Sequence, residues 1–470
     1  MTNIKHSGQI FTPDYLVNII LDTAGYNSPQ ILKKHCIDNS CGDGAFLCEI
    51  VSRYCTYFLK KSNKIDNLKK ELELYIHGIE LDTKAYHICI ENLNITVEKY
   101  GLKNIIWDVL NQDTLNVTRF NQKMDFVIGN PPYVRVHNLV NSYNGVKTYA
   151  FANGGMTDLF LVFFEIGFNM LKRQGKLCYI TPSSWINSIA GSNMRKYILS
   201  EKNLIELIDL KHYQAFKTTT YTMISLFQKG IVHNKFKLYN FNGEKRQKDF
   251  VDELALTDIY INNNFYLASQ KELKSFNQII NSSYPPLIKV KNGFATLADH
   301  VFINESFPFK EFTIPVIKAS TGKWYKAFFP YDANGKPIDK SILFHNPTIV
   351  NYLEEHLSSL LKGKTKEEKK DWYLFGRTQA LKDVQTEKYA INTCIKDINS
   401  IKLNIVPKGS GIYSGLYILT DIKFEKLKSV IYCQDFINYI ALLGKYKSGG
   451  YYTLNSKDLE HYLNFKIHNN

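Results

Sequence analysis

The segment "DFVIGNPPYVR", residues 125–135, decides how the rest of the chain is read. It begins as a buried strand, with Phe126, Val127 and Ile128 between Asp125 and Gly129. It then meets Asn130, two consecutive prolines and Tyr133. Two prolines fix φ twice and remove two backbone donors, and the residue before each is pushed towards extended geometry. The product is a stiff, non-helical loop whose carbonyls face outwards with no N–H groups beside them. Loops at the carboxyl ends of strands are where open α/β sheets hold ligands. The plainer reading is a strand-terminating turn. What an asparagine does at such a place has to come from its surroundings.

Those surroundings alternate strand and helix. "DYLVNIILDTAG" follows the Thr12-Pro13 start as a helix, "KHCID" is a strand, and "GAFLCEIVSRYCTYFLKK" is a helix. "LYIHGIEL" is the next strand, and "DTKAYHICIENLNITVEKYG" is a capped helix ending at Gly101. "NIIWDVL" and "MDFVIGN" are further strands. "TDLFLVFFEIGFNMLKRQG" reads as a very apolar helix closed by Gly175, followed by the strand "KLCYITP". "LIELIDL" and "TMISLFQKG" read as the last two strands. This alternation implies a mostly parallel sheet covered on both faces, ending near Gly230. Beyond residue 240 strands are short and Pro and Gly recur, which suggests a separate α+β domain. Its charged run "KGKTKEEKKDW" reads as a solvated helix or loop. The expected division is therefore 1–240 and 241–470, and a length of 470 residues suits two domains.

Composition narrows the class. Hydrophobic residues at 44% and charged residues at 22% fit a globular protein, and no apolar run approaches the ~20 residues of a membrane span. "MTNIKHSGQIFTP" lacks the apolar core of a signal peptide, so a cytoplasmic protein with no membrane partner is expected. Eight cysteines carry no CxxC pair and no zinc spacing, so reduced, mostly packed thiols and no metal are expected. The net charge of +14 is spread along the chain: 26 basic against 20 acidic residues through Lys235, and 32 against 24 after it. Such a surface suits a polyanion, and 31 Tyr with 29 Phe offer faces on which bases stack.

Three acids stand at successive strand ends. In "IDNSCGDGAFL", Gly42 and Gly44 allow close backbone approach to a ligand, and Asp38 suits an ammonium-bearing ligand better than a pyrophosphate. In "IHGIELD", Glu80 is placed to accept from ribose hydroxyls. In "WDVLNQDTL", Asp113 can take an adenine amino group. Singly, each is as readily a cap or a surface residue. Together they describe one nucleoside-shaped pocket with a charged tail.

With these motifs in order, the sequence resembles the γ-class S-adenosylmethionine-dependent DNA adenine-N6 methyltransferases of the TaqI type. "GQIFTP" and "DNSCGDGAFL" look like that family's cofactor motifs, "GIELD" its ribose-binding acid and "NPPY" its catalytic motif. The resemblance runs strongly over residues 7–230 and more loosely through "FTIPVIKASTG", "FGRTQAL" and "GGYYTLNSKDLEHYL". It implies a Rossmann-like, seven-stranded class I methyltransferase sheet followed by a C-terminal α+β target-recognition domain. S-adenosyl-L-methionine is the implied cofactor, held by Thr12, Asp38, Ser40, Cys41, Gly42, Glu80, Asp113, Asn130 and Pro132. Double-stranded DNA is the implied partner, with a restriction endonuclease acting separately and a monomer as the working form. Asn130 and Pro131 would accept the N6 hydrogens of an adenine flipped out of the duplex, Tyr133 would stack on it, and Phe216 would touch its other side. From the residues alone, Phe216 is equally a core side chain ahead of a strand. The departure from the family pattern is Asn39 where proline is usual, for which a small loop adjustment is expected.

Other readings share parts of this pattern. NPPY also occurs in release-factor glutamine methylases and guanine-N2 RNA methylases, which usually lack so long a downstream domain and the "FTP" start. A non-catalytic specificity protein would not need the intact set Gly42, Gly44, Glu80, Asn130 and Tyr133. A fused endonuclease finds no convincing nuclease segment.

Overall fold

The computed structural model describes residues 12–136, 143–153, 157–216, 220–362 and 370–469. Residues 8–11 of "GQIFTP", Lys217 to Thr219 of "YQAFKTTTYTM", and 363–369 of the charged run lie outside them. The chain divides into two compact units, Met1–Lys274 and Ser275–Asn470.

Helix α1 (Asp14–Ala24) buries Leu16, Val17, Ile20, Leu21 and Ala24 on one stripe and closes on Gly25 at φ 78°. Strand β1 (Cys36–Asp38) is wholly buried and feeds, through a tight loop, α2 (Ala45–Leu59). A polar helix α3 (Ile65–Tyr75), anchored by Leu68 and Leu72, precedes β2 (Ile76–Glu80). Asp82 caps α4 (Thr83–Glu98) by accepting from the Ala85 N–H at 2.9 Å. Next come β3 (Asp108–Asn111), β4 (Met124–Gly129), α5 (Leu159–Met170), β5 (Leu171–Pro182), α6 (Ser192–Glu201), β6 (Leu204–Asp209) and β7 (Thr222–Gln228).

The sheet order is β3-β2-β1-β4-β5-β7-β6, extended by β8 (Phe236–Asn242) and β9 (Gln247–Leu254) to nine strands. Strands β1 to β5 run parallel, and β7 lies antiparallel between β5 and β6. The expected seven strands are present as a doubly wound sheet. The strand–helix alternation stops near Gly230, as expected, but the sheet does not end there, because β8 pairs parallel with β6 and β9 folds back on β8.

One helix is shorter than its apolar run suggests. α5 ends at Met170, and Leu171 already pairs with Met124. Gly175 does not close a helix: it lies where a Cβ would sit 2.7 Å from the Met124 carbonyl, beside the register shift between Met124 and Phe126. Close strand packing explains that glycine. No described helix is long and apolar enough to cross a membrane.

The second unit is a mixture of short strands and helices. Segments 289–292, 416–419, 388–391 and 403–406 form one four-stranded sheet. Segments 303–304, 323–328, 313–318 and 411–413 form another, and 394–395, 451–453 and 446–447 a three-stranded one. Aromatic side chains such as Phe294, Phe302, Phe328 and Phe375 fill its core. The buried Lys388 ammonium is held by the carbonyls of Asp383, Thr386 and Ser410, and burial lowers its pKa to about 8.

Candidate active site

Parallel strands β1, β2, β3 and β4 all deliver their carboxyl ends to one edge of the sheet, where a short chain segment can present backbone groups freely. Asp38 ends β1, Glu80 ends β2, Asp113 lies just past β3, and Asn130 follows β4. The four residues named from the sequence therefore lie at the ends of neighbouring strands, in the order Asp113, Glu80, Asp38, Asn130.

Asp38 is buried, and its carboxyl pKa is pushed up to about 7, first by burial. The Ser40 N–H, 3.0 Å from Asp38 Oδ1, opposes that rise, and the negative charge of Glu80 adds to it. The carboxyl packs so closely on β4 that a Cβ at Gly129 would lie 2.5 Å from Asp38 Oδ1. The Glu80 carboxylate is held from two sides: Gly42 N–H donates to Oε2 at 2.8 Å and Asp82 N–H to Oε1 at 2.7 Å. Gly42 has φ +56° and nothing within 4 Å of where a Cβ would be, so the loop there faces open space. Gly44 has a different reason, since a Cβ would meet the Cys89 sulfur. Cys41 is buried, with its N–H bonded to the Ile79 carbonyl at 3.0 Å, which ties the loop to β2.

Asp113 caps a short turn, accepting from Leu115 N–H at 3.0 Å. The neighbouring Thr114 hydroxyl donates to the Asn39 carbonyl at 2.6 Å. Asn39 itself is fully buried and its Oδ1 accepts from the Tyr179 hydroxyl on β5 at 2.8 Å. It knits the loops after β1 and β3 to β5, a role that a proline could not fill through its side chain. The sequence offered Asn39 only as a departure from a pattern; its signal was a polar residue directly between a buried strand and a glycine loop.

The asparagine of the opening segment is held on both sides. Its Nδ2 donates to Thr12 Oγ1 at 3.1 Å, which fixes the amide plane, and its backbone carbonyl accepts from Ser40 Oγ at 3.4 Å. Pro131 is buried and Pro132 half-buried. Tyr133 donates to the Ile180 carbonyl at 3.3 Å, and burial raises its phenol pKa. Its ring meets that of Phe216 edge to face, with centroids 6.1 Å apart and planes at 78°. The loop is then stitched back: Leu159 N–H donates to the Val134 carbonyl at 2.8 Å and Val136 N–H to the Thr157 carbonyl at 2.9 Å.

A further cluster escaped the sequence reading. Tyr213, three residues before Phe216, bonds hydroxyl to hydroxyl with Tyr15 at 2.7 Å, and its ring lies 4.8 Å from Phe241 of β8. A Cβ at Gly243 would run into the Tyr213 ring, and Arg246 lies over the Tyr15 ring at 4.8 Å. The two added strands thus support the loop that carries Phe216.

Comparison with known proteins agrees with this geometry. The family profile of the Eco57I restriction-modification methylases matches residues 58–216, which include Glu80, Asn130, Tyr133 and Phe216. The Type II methyltransferase M.BstVI of Geobacillus stearothermophilus is 25% identical over 343 residues, covering 63% of this chain and 60% of that protein. The Type II restriction enzyme and methyltransferase RM.Eco57I of Escherichia coli is 25% identical over 406 residues, covering 71% of this chain and 38% of that protein. The chain thus spans less than two thirds of the length of these curated relatives. Among solved structures, the Type IIL restriction-modification enzyme MmeI in complex with DNA shares the fold, with a TM-score of 0.63 at 11% identity over 94% of this chain and 65% of that one. The stretch that carries Glu80, Asn130, Tyr133 and Phe216 is thus similar to the Eco57I restriction-modification methylases, and the relatives extend that similarity over more of the chain.

Proposed function

We propose that the protein transfers a methyl group from S-adenosyl-L-methionine to N6 of an adenine turned out of double-stranded DNA, as the site-specific modification enzyme of a restriction–modification system. The observation that carries this reading is Asn130, fixed through Thr12 at the end of β4 beside the paired rings of Tyr133 and Phe216.

The residues suit the cofactor. A buried carboxyl at Asp38 with its pKa near 7 gains from a neighbouring ammonium, and the doubly held Glu80 can accept from a sugar diol. The open space beside Gly42 lets a ligand approach the backbone. Thr12, Ser40, Cys41, Asp113 and Pro132 complete the surrounding wall. When bound, S-adenosylmethionine supplies a methyl group activated by its positively charged sulfur.

The chain's own contribution is to make a poor nucleophile attack. An adenine N6 lone pair is delocalised into the ring. The Asn130 side-chain oxygen and the Pro131 carbonyl accept the two N6 hydrogens, which localises that pair and orients it. Pro132 has no N–H to compete for the Pro131 carbonyl. Tyr133 and Phe216 give the extracted base two walls nearly at right angles, offsetting part of the few kcal/mol that unstacking costs. No covalent bond to the enzyme is needed.

The second unit, with 26 basic and 18 acidic residues between 275 and 470, supplies target recognition in this reading. A monomer in the cytoplasm, sharing its target sequence with a separate endonuclease, completes the assignment. The test is Asn130→Ala: calorimetry with S-adenosylmethionine and a methyl-transfer assay on duplex DNA. Near-normal cofactor binding with loss of most turnover supports the role, because the amide acts on the transition state. Substantial residual turnover contradicts it.

A further inference from the structure

The second unit contains a cleft of about 720 Å³ whose lining includes Asn292, Ser320, Gln379, Lys402, Ser414 and Tyr451, and no aspartate or glutamate. Its floor is two backbone crossings that leave no room for side chains. Gly293 N–H donates to the Gly415 carbonyl at 3.0 Å, a Cβ on Gly293 would lie 2.6 Å from the Ile412 carbonyl, and one on Gly415 would lie 2.7 Å from that of Ile391. One wall is framed by Asn392, which is 4% exposed. Its Nδ2 donates to the carbonyls of Cys394 at 2.7 Å and Ser400 at 3.1 Å, and its Oδ1 accepts from Lys402 N–H at 2.8 Å. Gln379 Nε2 donates to the Gly293 carbonyl at 2.5 Å, fixing that amide.

Two exposed polar side chains stand on this rigid frame. Asn292 and Lys402 are exposed at the cleft, and no carboxylate lies within ion-pair distance of Lys402 among the described residues. Lys396 runs along Gly450, the neighbour of the lining residue Tyr451, its Cε 3.3 Å from where a Cβ would be. Tyr451, 37% exposed, stands beside it. Amides pair with the N6 and N7 edge of adenine and a lysine with O6 and N7 of guanine, while rim cations take phosphates. One exposed amide and one cation on a rigid backbone frame, with acids excluded, match a base edge and repel little that DNA carries.

We propose that this cleft reads base edges of the DNA target, with Asn292 and Lys402 as specificity-determining residues. The assignment rests on the DNA-methylase reading of the chain and names the surface that selects its sequence.

The experiment is selection of bound duplexes from a random pool by the full-length protein and by N292A and K402M, at fixed salt, followed by sequencing. Methyl transfer from labelled S-adenosylmethionine to the enriched duplex is measured alongside. The wild-type protein is expected to enrich one short sequence, and each variant to lose preference at one base pair by on the order of tenfold or more while keeping the others. An unchanged circular dichroism spectrum and thermal unfolding profile show that both units of a variant are folded. Variants that enrich the same sequence with unchanged preference at every position overturn the assignment, as does a uniform loss of affinity with the same sequence, which marks phosphate contacts. A wild-type protein that enriches no sequence, or retains folded RNA over duplex, overturns it too. A wild-type protein that enriches a sequence but transfers no methyl group defeats the enzymatic reading and leaves the cleft assignment standing.

Discussion

Thr12 and Asn130 are 118 residues apart, yet a 3.1 Å hydrogen bond from the Asn130 side-chain nitrogen to the Thr12 hydroxyl joins the start of α1 to the end of β4. The bond turns the amide so that its nitrogen is occupied and its oxygen faces the other way. Thr12→Val keeps the shape and removes the acceptor. It should cost about 1 kcal/mol of transition-state stabilisation, roughly five- to tenfold in kcat, with little change in cofactor affinity. Single-turnover methylation rates measure this, and an unchanged rate would show that Asn130 is oriented by other contacts.

Cofactor binding should depend on pH through Asp38. Its carboxyl pKa of about 7 means that the ligand-free site is largely protonated at pH 6. An ammonium-bearing ligand favours the ionised form, so binding below pH 7 must release a proton. Affinity should therefore rise with pH, by up to about tenfold per unit below 7, and level off above it. Asp38→Asn should bind more weakly and lose this slope. Calorimetry between pH 5.5 and 8.5, in two buffers of different ionisation enthalpy, reads both affinity and proton release.

Gly129→Ala tests the packing under the site. The new methyl would sit 2.5 Å from Asp38 Oδ1 and 3.0 Å from its Cγ. Destabilisation of about 1–3 kcal/mol is expected, together with weakened cofactor binding, because Asp38 has to move. Gly42→Ala meets open space at the same sheet edge but a backbone at φ +56°, so its penalty should come from conformational strain. Denaturant midpoints of the two variants separate crowding from strain.

The opposite end of the sheet carries a pH-sensitive chain. His35 Nδ1 lies 2.9 Å from His77 Nε2, and His77 Nδ1 lies 2.6 Å from Asp108, which Arg119 also contacts. Burial, then the neighbouring His77, lowers the His35 pKa below the ordinary imidazole value. The unfolded chain takes up its proton first as pH falls, so this contribution to stability is complete above about 6.5 and declines below it. Urea midpoints at pH 7.5 and 5.5 should differ by less in His35→Gln than in the unaltered protein.

The parts of this architecture that could be read from sequence are those with sharp punctuation. Strand-end residues Asp38, Glu80 and Asn130 each sit between an apolar run and a loop signal, so both the parallel sheet and the site order were legible. Strands β8 and β9 were not, because segments such as "QKDFVDEL" leave most side chains at least partly exposed and carry charge on both faces. The end of α5 was obscured because its apolar run continues through Met170 and Leu171 into β5 without a break. Tyr213 and Tyr15 carry no local pattern that joins them, since their contact depends on how the added strands fold back. Phe216 was named from the family order of motifs, and its ring meets that of Tyr133 edge to face, while the cleft of the second unit is assembled from separate stretches between Asn292 and Tyr451.

The methylated nucleoside itself identifies the reaction. Full-length protein is incubated with unmodified duplex DNA and S-adenosylmethionine labelled in its methyl group, and the DNA is digested to nucleosides and separated. Label is expected in N6-methyladenine alone, confined to one short sequence, and none with Asn130→Ala. Label in cytosine, or transfer to RNA or protein in place of DNA, would contradict it.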